Sequence, residues 1–155
     1  MSQAIVIPTT SIVIINTTGI PPLPGTIGEQ IQSFVGAGSS VSLSIGVPKT
    51  ITSVTLTTGI WDVTSITSFS TGGSLSATTL ISGISTTSGM YTGTTNGDNL
   101  LYTNAFPQAG SNQPITIPQF RINVTTNTTY YLVASAIFSS GTLSAFGRIS
   151  AVRVC

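Results

Sequence analysis

The sequence predicts an all-β fold, an antiparallel β-sandwich of the jelly-roll kind preceded by an extended N-terminal arm. Three observations predict it. Serine and threonine make up nearly a third of the chain, and both suit turns and half-exposed pleated surfaces better than helix interiors. The 16 glycines and 8 prolines fall largely between short apolar runs, as turns between strands require. Within many of those runs apolar and polar residues alternate, which places the apolar side chains on one face of a strand. A chain of 155 residues is long enough for one domain with its own core. It divides into an extended arm and proline-rich linker at 1–27 and a sandwich at 28–155.

The elements follow in order. Ile5-Val6-Ile7 and Ile12-Val13-Ile14-Ile15 are β-branched runs separated by Pro8, and Pro21, Pro22 and Pro24 make the following segment a stiff linker that cannot be helical. Residues 27–35 carry the only helical character in the chain, but Gly28 and the β-branched residues there favour a strand. Val41, Leu43 and Ile45 alternate with Ser42 and Ser44 in an expected half-buried strand ending at Gly46-Val47-Pro48. Thr58-Gly59 breaks the next stretch into two strands, and Trp61 and Val63 share one face of the second, with Trp61 as core anchor. Gly72-Gly73, Gly83, Gly89 and Gly93 separate further short strands at Leu80-Ile81, Ile84 and Met90-Tyr91. Asn96-Gly97-Asp98-Asn99 is the clearest turn signal. Residues 106–114 read as a loop, and Phe120, Ile122 and Val124 alternate with polar residues in a half-buried strand.

The last third is apolar on both parities from Tyr130 to Phe138, which predicts a central strand with one face in the core and the other against a neighbour. Thr142 to Val154 returns as a long strand in which Ala145, Gly147, Ser150 and Ala151 permit close packing of sheets or subunits. The sum is about eight to ten strands and no helix of consequence. Trp61, Val63, Phe120, Ile122, Leu132 and Phe138 are the expected core.

Composition narrows function. Only 5% of residues are charged, against roughly a quarter in an ordinary soluble domain, and histidine is absent. Most acid–base and metal chemistry therefore lacks its usual groups, and no enzyme, cofactor or metal is expected. The net charge of +1 comes from Lys49, Arg121, Arg148 and Arg153 against Glu29, Asp62 and Asp98, which gives no basic stripe for nucleic acid. No run approaches the roughly 20 apolar residues of a membrane span, and the opening residues lack the basic region of a secretory leader. A mean hydropathy of +0.45 with so few charges predicts association with copies of the same chain or with a larger assembly. The single cysteine, Cys155, excludes an intrachain disulfide framework, and its thiol is expected to be dispensable.

Individual candidates have plain explanations. The three acids are scattered, so a carboxylate pair for glycoside cleavage is disfavoured. Asp62 is expected to face solvent or to pair with an arginine such as Arg148. Asn96–Asn99 lacks the spacing and the bidentate acid of a calcium loop and reads as a turn. Tyr91, Tyr102, Phe106 and Trp61 offer rings for stacking on sugars; the core explains Trp61, while Tyr102 and Phe106 stand in loop-like sequence as possible ligand contacts.

Gly59-Ile60-Trp61-Asp62-Val63-Thr64, Gly83-Ile84-Ser85-Thr86-Thr87-Ser88, the run Thr129 to Phe138, and Leu143 to Val154 resemble, in that order, the motifs of the C-terminal knob domain of tailed-bacteriophage fibre and virion surface proteins. Those motifs read G-D-W-D-V-S, G-I-S-T-T-S, T-x-Y-L-V-A-x-A-x-F and A-Y-G-x-I-x-A-R-R. The resemblance spans roughly residues 28 to 154. Ile60 replaces the family's acid, Phe146 its tyrosine and Val152 one of its paired arginines. The resemblance implies a structural, usually trimeric component at the virion surface, without enzymatic activity, whose partners are copies of itself and a major capsid or other virion protein. The expectation is a capsid decoration or head-fibre knob, the alternative a tail-fibre tip that binds a host receptor or surface glycan. The β-branched arm residues Ile5, Val6, Ile7, Ile12, Val13, Ile14 and Ile15 suit strand addition to another protein and are the expected virion anchor. Tyr131, Val133, Ala136 and Ala151, on the strands apolar or small on both faces, are the expected trimer interface.

Overall fold

The computed structural model describes residues 22–72, 77–91, 99–103, 112–139 and 141–155. Nine strands form two antiparallel sheets: β1 Gln30–Val35, β2 Val41–Ser42, β3 Lys49–Leu56, β4 Gly59–Gly72, β5 Ala77–Ser85, β6 Asn99–Thr103, β7 Asn112–Val124, β8 Thr128–Phe138 and β9 Thr142–Arg153. The first sheet runs β1-β9-β4-β7, with β2 also on β9, and the second runs β3-β8-β5-β6. β1 and β2 lie along one edge of β9, interrupted by a single 3₁₀ turn at Ala37–Ser39. The pairs β1/β2 with β9, β3 with β8, β4 with β7 and β5 with β6 are therefore nested, first strand with last and innermost with innermost. This is one long hairpin folded over on itself, the connectivity of a jelly roll.

The core lies between the sheets. Trp61, Val63 and Phe69 of β4, Leu132 of β8, and Leu143 and Ile149 of β9 are all at most 2% exposed, as the alternation along those strands dictates. Phe120 and Ile122 pack on the core from a partly buried position, and Phe138 closes it. The two sheets are also tied by a buried hydrogen bond of 2.7 Å between Thr67 Oγ1 and Ser82 Oγ. In β9 the small residue at 147 is needed: a Cβ there would come within 2.2 Å of the Ile66 carbonyl oxygen, so only glycine lets β4 and β9 run this close.

The expected strand at residues 27–35 forms as β1, and β8 is central, flanked by β3 and β5. Three local expectations are corrected. Leu43 is buried, but its amide bonds Leu143 O and the chain then leaves the sheet, turning at Ser44–Val47 so that Gly46 N reaches Ala136 O; Ile45 is consequently 56% exposed instead of sharing a buried face. β7 begins at Asn112, taking in part of the expected loop. It tolerates Pro114 and Pro118 because it is the edge of its sheet, where an absent N–H breaks no ladder. Met90 and Tyr91 lie outside any strand. The Asn96–Asp98 part of the expected turn, and residues 106–111, lie outside the described residues.

Candidate functional site

Two ends of the sandwich differ in what they hold. At one end the linker enters and β9 leaves. There Gly28 N donates to Arg153 O, Arg153 N to Glu29 O, Ile60 N to Cys155 O and Val154 N to Ile60 O. At the opposite end β4 ends at Gly72 opposite Thr142, β5 begins near Phe138, β6 ends at Thr103 and β7 begins at Asn112.

The linker end is organised by one guanidinium. Arg153, 5% exposed, donates from Nε to Glu29 Oε2 at 2.9 Å, from Nη1 to Thr58 O at 2.6 Å and from Nη2 to Thr57 Oγ1. Its Cζ lies 4.3 Å from the centroid of the Trp61 ring, a cation–π contact strengthened by desolvation. Trp61 Nε1 donates to Thr57 O. Glu29 Oε2 accepts a further hydrogen bond, at 2.7 Å, from Gly25 N, so the carboxylate turns the linker back against the sandwich. Gly59, at φ 146°, closes the site: a Cβ there would stand 2.1 Å from Arg153 Nη1 and 2.7 Å from Cys155 O. Linker, β3–β4 turn and final strand are thereby fastened at one point.

A second ion pair lies one residue away, on the other side of β4. Asp62 receives a two-pronged contact from Arg121, Nε to Oδ1 at 2.8 Å and Nη2 to Oδ2 at 3.0 Å, and a third bond from Gln119 Nε2. Hydrogen bonding from Arg121 holds the Asp62 carboxyl below the usual carboxylate range, and the same pairing raises Arg121. The expected partner Arg148 is corrected here. Asp62 stands opposite Arg121 on β7 and opposite Val152 on β9, whereas Arg148 is opposite Ile66 and Phe34.

The expected contact residues are placed as follows. Ile5, Val6, Ile7, Ile12, Val13, Ile14, Ile15 and Phe106 lie outside the described residues. Tyr102 is on β6, opposite Ile81. Tyr131 is half-buried, but Val133 and Ala136 are 0% exposed and Ala151 1%, so these three are covered by their own chain and have no surface for a second subunit. Ala136 and Ala151 face the core. Val133 points away from it and is covered because the segment after β5 crosses the sheet: Gly89 N bonds Thr50 Oγ1 on β3, and Tyr91 OH reaches both Ile81 O and Val133 O.

The apolar side chains that do face outward are elsewhere. Phe34, 71% exposed, Ile66, Phe146 and Arg148 border a shallow groove of about 400 Å³ on the outer face of the first sheet, with Gly147 among its lining residues. Ile45 (56% exposed), Val47, Met90 and Ile137 are exposed beside the second sheet.

No protein-family model matches this sequence, and no curated protein matches it. Among solved structures, the fold is similar to that of infectious bursal disease virus Gx strain, with 14% identity and a TM-score of 0.53 over 88% of this chain and 37% of that one. It is equally similar to the infectious bursal disease virus VP2 subviral particle, with 14% identity and a TM-score of 0.53 over 81% of this chain and 32% of that one. The likeness is one of fold. The present chain spans about a third of the length of those chains.

Proposed function

We propose that this protein is a non-enzymatic structural component of a virus particle, displayed on the surface of a tailed-phage virion as a trimeric capsid decoration or head-fibre knob and held there by its N-terminal arm. The observation that carries the reading is the nested strand pairing, an architecture shared with viral capsid domains, in a fold like that of the VP2 subviral particle. The acids support it as well: Glu29 and Asp62 are both committed to ion pairs. The lock at Arg153 fastens the linker at Gly25 and Glu29 to the sandwich, so a pull on a particle-bound arm would be borne by buried groups. Three arms acting together would hold a trimer on a particle through individually weak contacts.

Deletion of residues 1–18 tests the anchor. The truncated protein is expected to keep its oligomeric state and to lose binding to arm-free particles in a co-sedimentation assay; unchanged decoration would refute the anchor. A second reading, the receptor-binding tip, is favoured by Tyr102, on the edge strand whose last residue, Thr103, lies at the end opposite the linker. Tyr102→Ala and Phe106→Ala would then reduce adsorption to host cells while leaving particle association intact.

A further inference from the structure

Resting on the reading of a self-associating virion protein, we infer that copies of this chain join head to tail: the Ile45–Val47 turn of one copy seats in the Phe34–Ile66–Phe146 groove of the next. Burial within the chain removes Val133, Ala136 and Ala151 from any such contact. What remains is concentrated. Of the eight large apolar side chains exposed among the described residues, Leu23 and Ile27 belong to the linker and its junction with the sandwich, and five of the other six are Phe34 in the groove and Ile45, Val47, Met90 and Ile137 around the turn.

The two surfaces differ in shape. The groove is concave, and Gly147, which carries no side chain, is among its lining residues. The other surface is formed by a turn. Val47 N bonds Ser44 O across a tight turn with Gly46 at φ 69°, and the turn is held against β8 by Gly46 N to Ala136 O. Ile45 and Val47 are therefore exposed on a turn fixed by its own hydrogen bonds, as an apolar anchor requires. Exposed apolar clusters on a surface with so few charges mark contact sites.

Charge selects between the two ways copies can meet. Arg148 at the groove makes no ion pair among the described residues. A two-fold contact of groove on groove would bring Arg148 against its own copy, and like charges facing each other are penalised. Groove against turn avoids this: Ser42 and Ser44 beside the turn are exposed and bring hydroxyl oxygens for the guanidinium to bond. A contact between unlike surfaces closes into a ring when the rotation between copies allows it, as the proposed trimer needs.

The test uses the full-length chain. Phe34→Glu destroys the groove and Ile45→Glu the turn; both side chains are exposed, so the far-ultraviolet circular dichroism and the melting profile of each isolated variant provide the folding control. Wild type is expected to be a trimer by light scattering at about 50 μM, and each variant at least tenfold weaker in assembly. The mixture is decisive, because the turn of Phe34→Glu and the groove of Ile45→Glu are both intact: the two together are expected to form a heterodimer that neither forms alone. Variants that assemble like wild type overturn the inference. So does a mixture that stays monomeric, or a wild-type isologous dimer. Assembly that survives both variants and disappears on deleting residues 1–18 would assign the contact to the arm instead. Particle co-sedimentation is read separately: loss of assembly with particle binding retained overturns nothing in the virion reading, and a protein that assembles yet never binds particles overturns that reading and leaves this contact standing.

Discussion

Trp61 and Asp62 are neighbours in sequence and stand on opposite faces of β4, and each is bound to an arginine. The contrast between their sites shows how one strand can serve two purposes. On the inner side, Arg153 and Glu29 are 5% and 8% exposed and are surrounded by further bonds to Gly25 N, Thr58 O and Thr57 Oγ1. On the outer side, the Asp62 side chain is 12% exposed but that of Arg121 is 64% exposed. The distances are nearly equal, 2.9 Å and 2.8 Å. Solvent separates them energetically: a buried charge that loses its partner has no water to replace it, whereas an exposed one is promptly rehydrated.

The largest difference is expected from removing the buried cation. Arg153→Met leaves Glu29 and Thr58 O without their partner and is expected to lower unfolding free energy by about 3–5 kcal/mol, measured by urea denaturation. The double variant Glu29→Leu with Arg153→Met removes both charges together, and recovery of a good part of that loss would show that the penalty belongs to the orphaned carboxylate. Recovery should be incomplete, since Thr58 O, Thr57 Oγ1 and Gly25 N still lose a bond each. If the single variant is as stable as wild type, the lock does not hold the linker.

The ring beneath the guanidinium comes next. Trp61→Phe keeps an aromatic face but deletes the Nε1 donor to Thr57 O and leaves space where a fully buried indole stood. A loss of about 1–3 kcal/mol is expected, smaller than for Arg153→Met. A larger loss would mean that packing of the indole, and not the buried charge, dominates this end of the molecule.

Much of the sandwich was legible in the sequence because period-two alternation is a local property. Trp61, Val63, Leu132 and Phe138 fall where their strands' parity puts them. The pair of Glu29 with Arg153 and the identity of Asp62's arginine were not legible, and the reason is register. Glu29 and Arg153 are 124 positions apart, joined only because β1 and β9 are the first and last strands of a nested hairpin. Asp62 meets Arg121 and not Arg148 because the register of β7 puts Arg121 opposite it, whereas that of β9 puts Arg148 opposite Ile66, four residues along β4, and nothing local to Asp62 reports either register. Ile45 follows the alternation of a strand, yet the chain has by then crossed toward the other sheet. Val133 reads as an interface residue by parity and is buried by a segment more than 40 positions upstream. Pattern shows which face a side chain takes; the topology decides what covers that face.

The smallest effect is expected at Asp62, and its signature is its pH dependence. Pairing with Arg121 sets the folded-state pKa of Asp62 below the ordinary value of 3.8, so the folded state binds this proton less readily than the unfolded chain does. The stabilisation is therefore fully present above the unfolded-state pKa and is lost as pH falls through the folded-state value. Asp62→Asn is expected to lower the melting temperature slightly at pH 7, with the gap to wild type closing steadily below about pH 4. Because the Arg121 side chain is largely exposed, the gap at pH 7 should also shrink as salt is raised from 0.05 to about 1 M. The buried pair should respond little to the same salt series. A gap for Asp62→Asn that is insensitive to salt and persists at pH 2 would show that Asp62 does not act through its ion pair with Arg121.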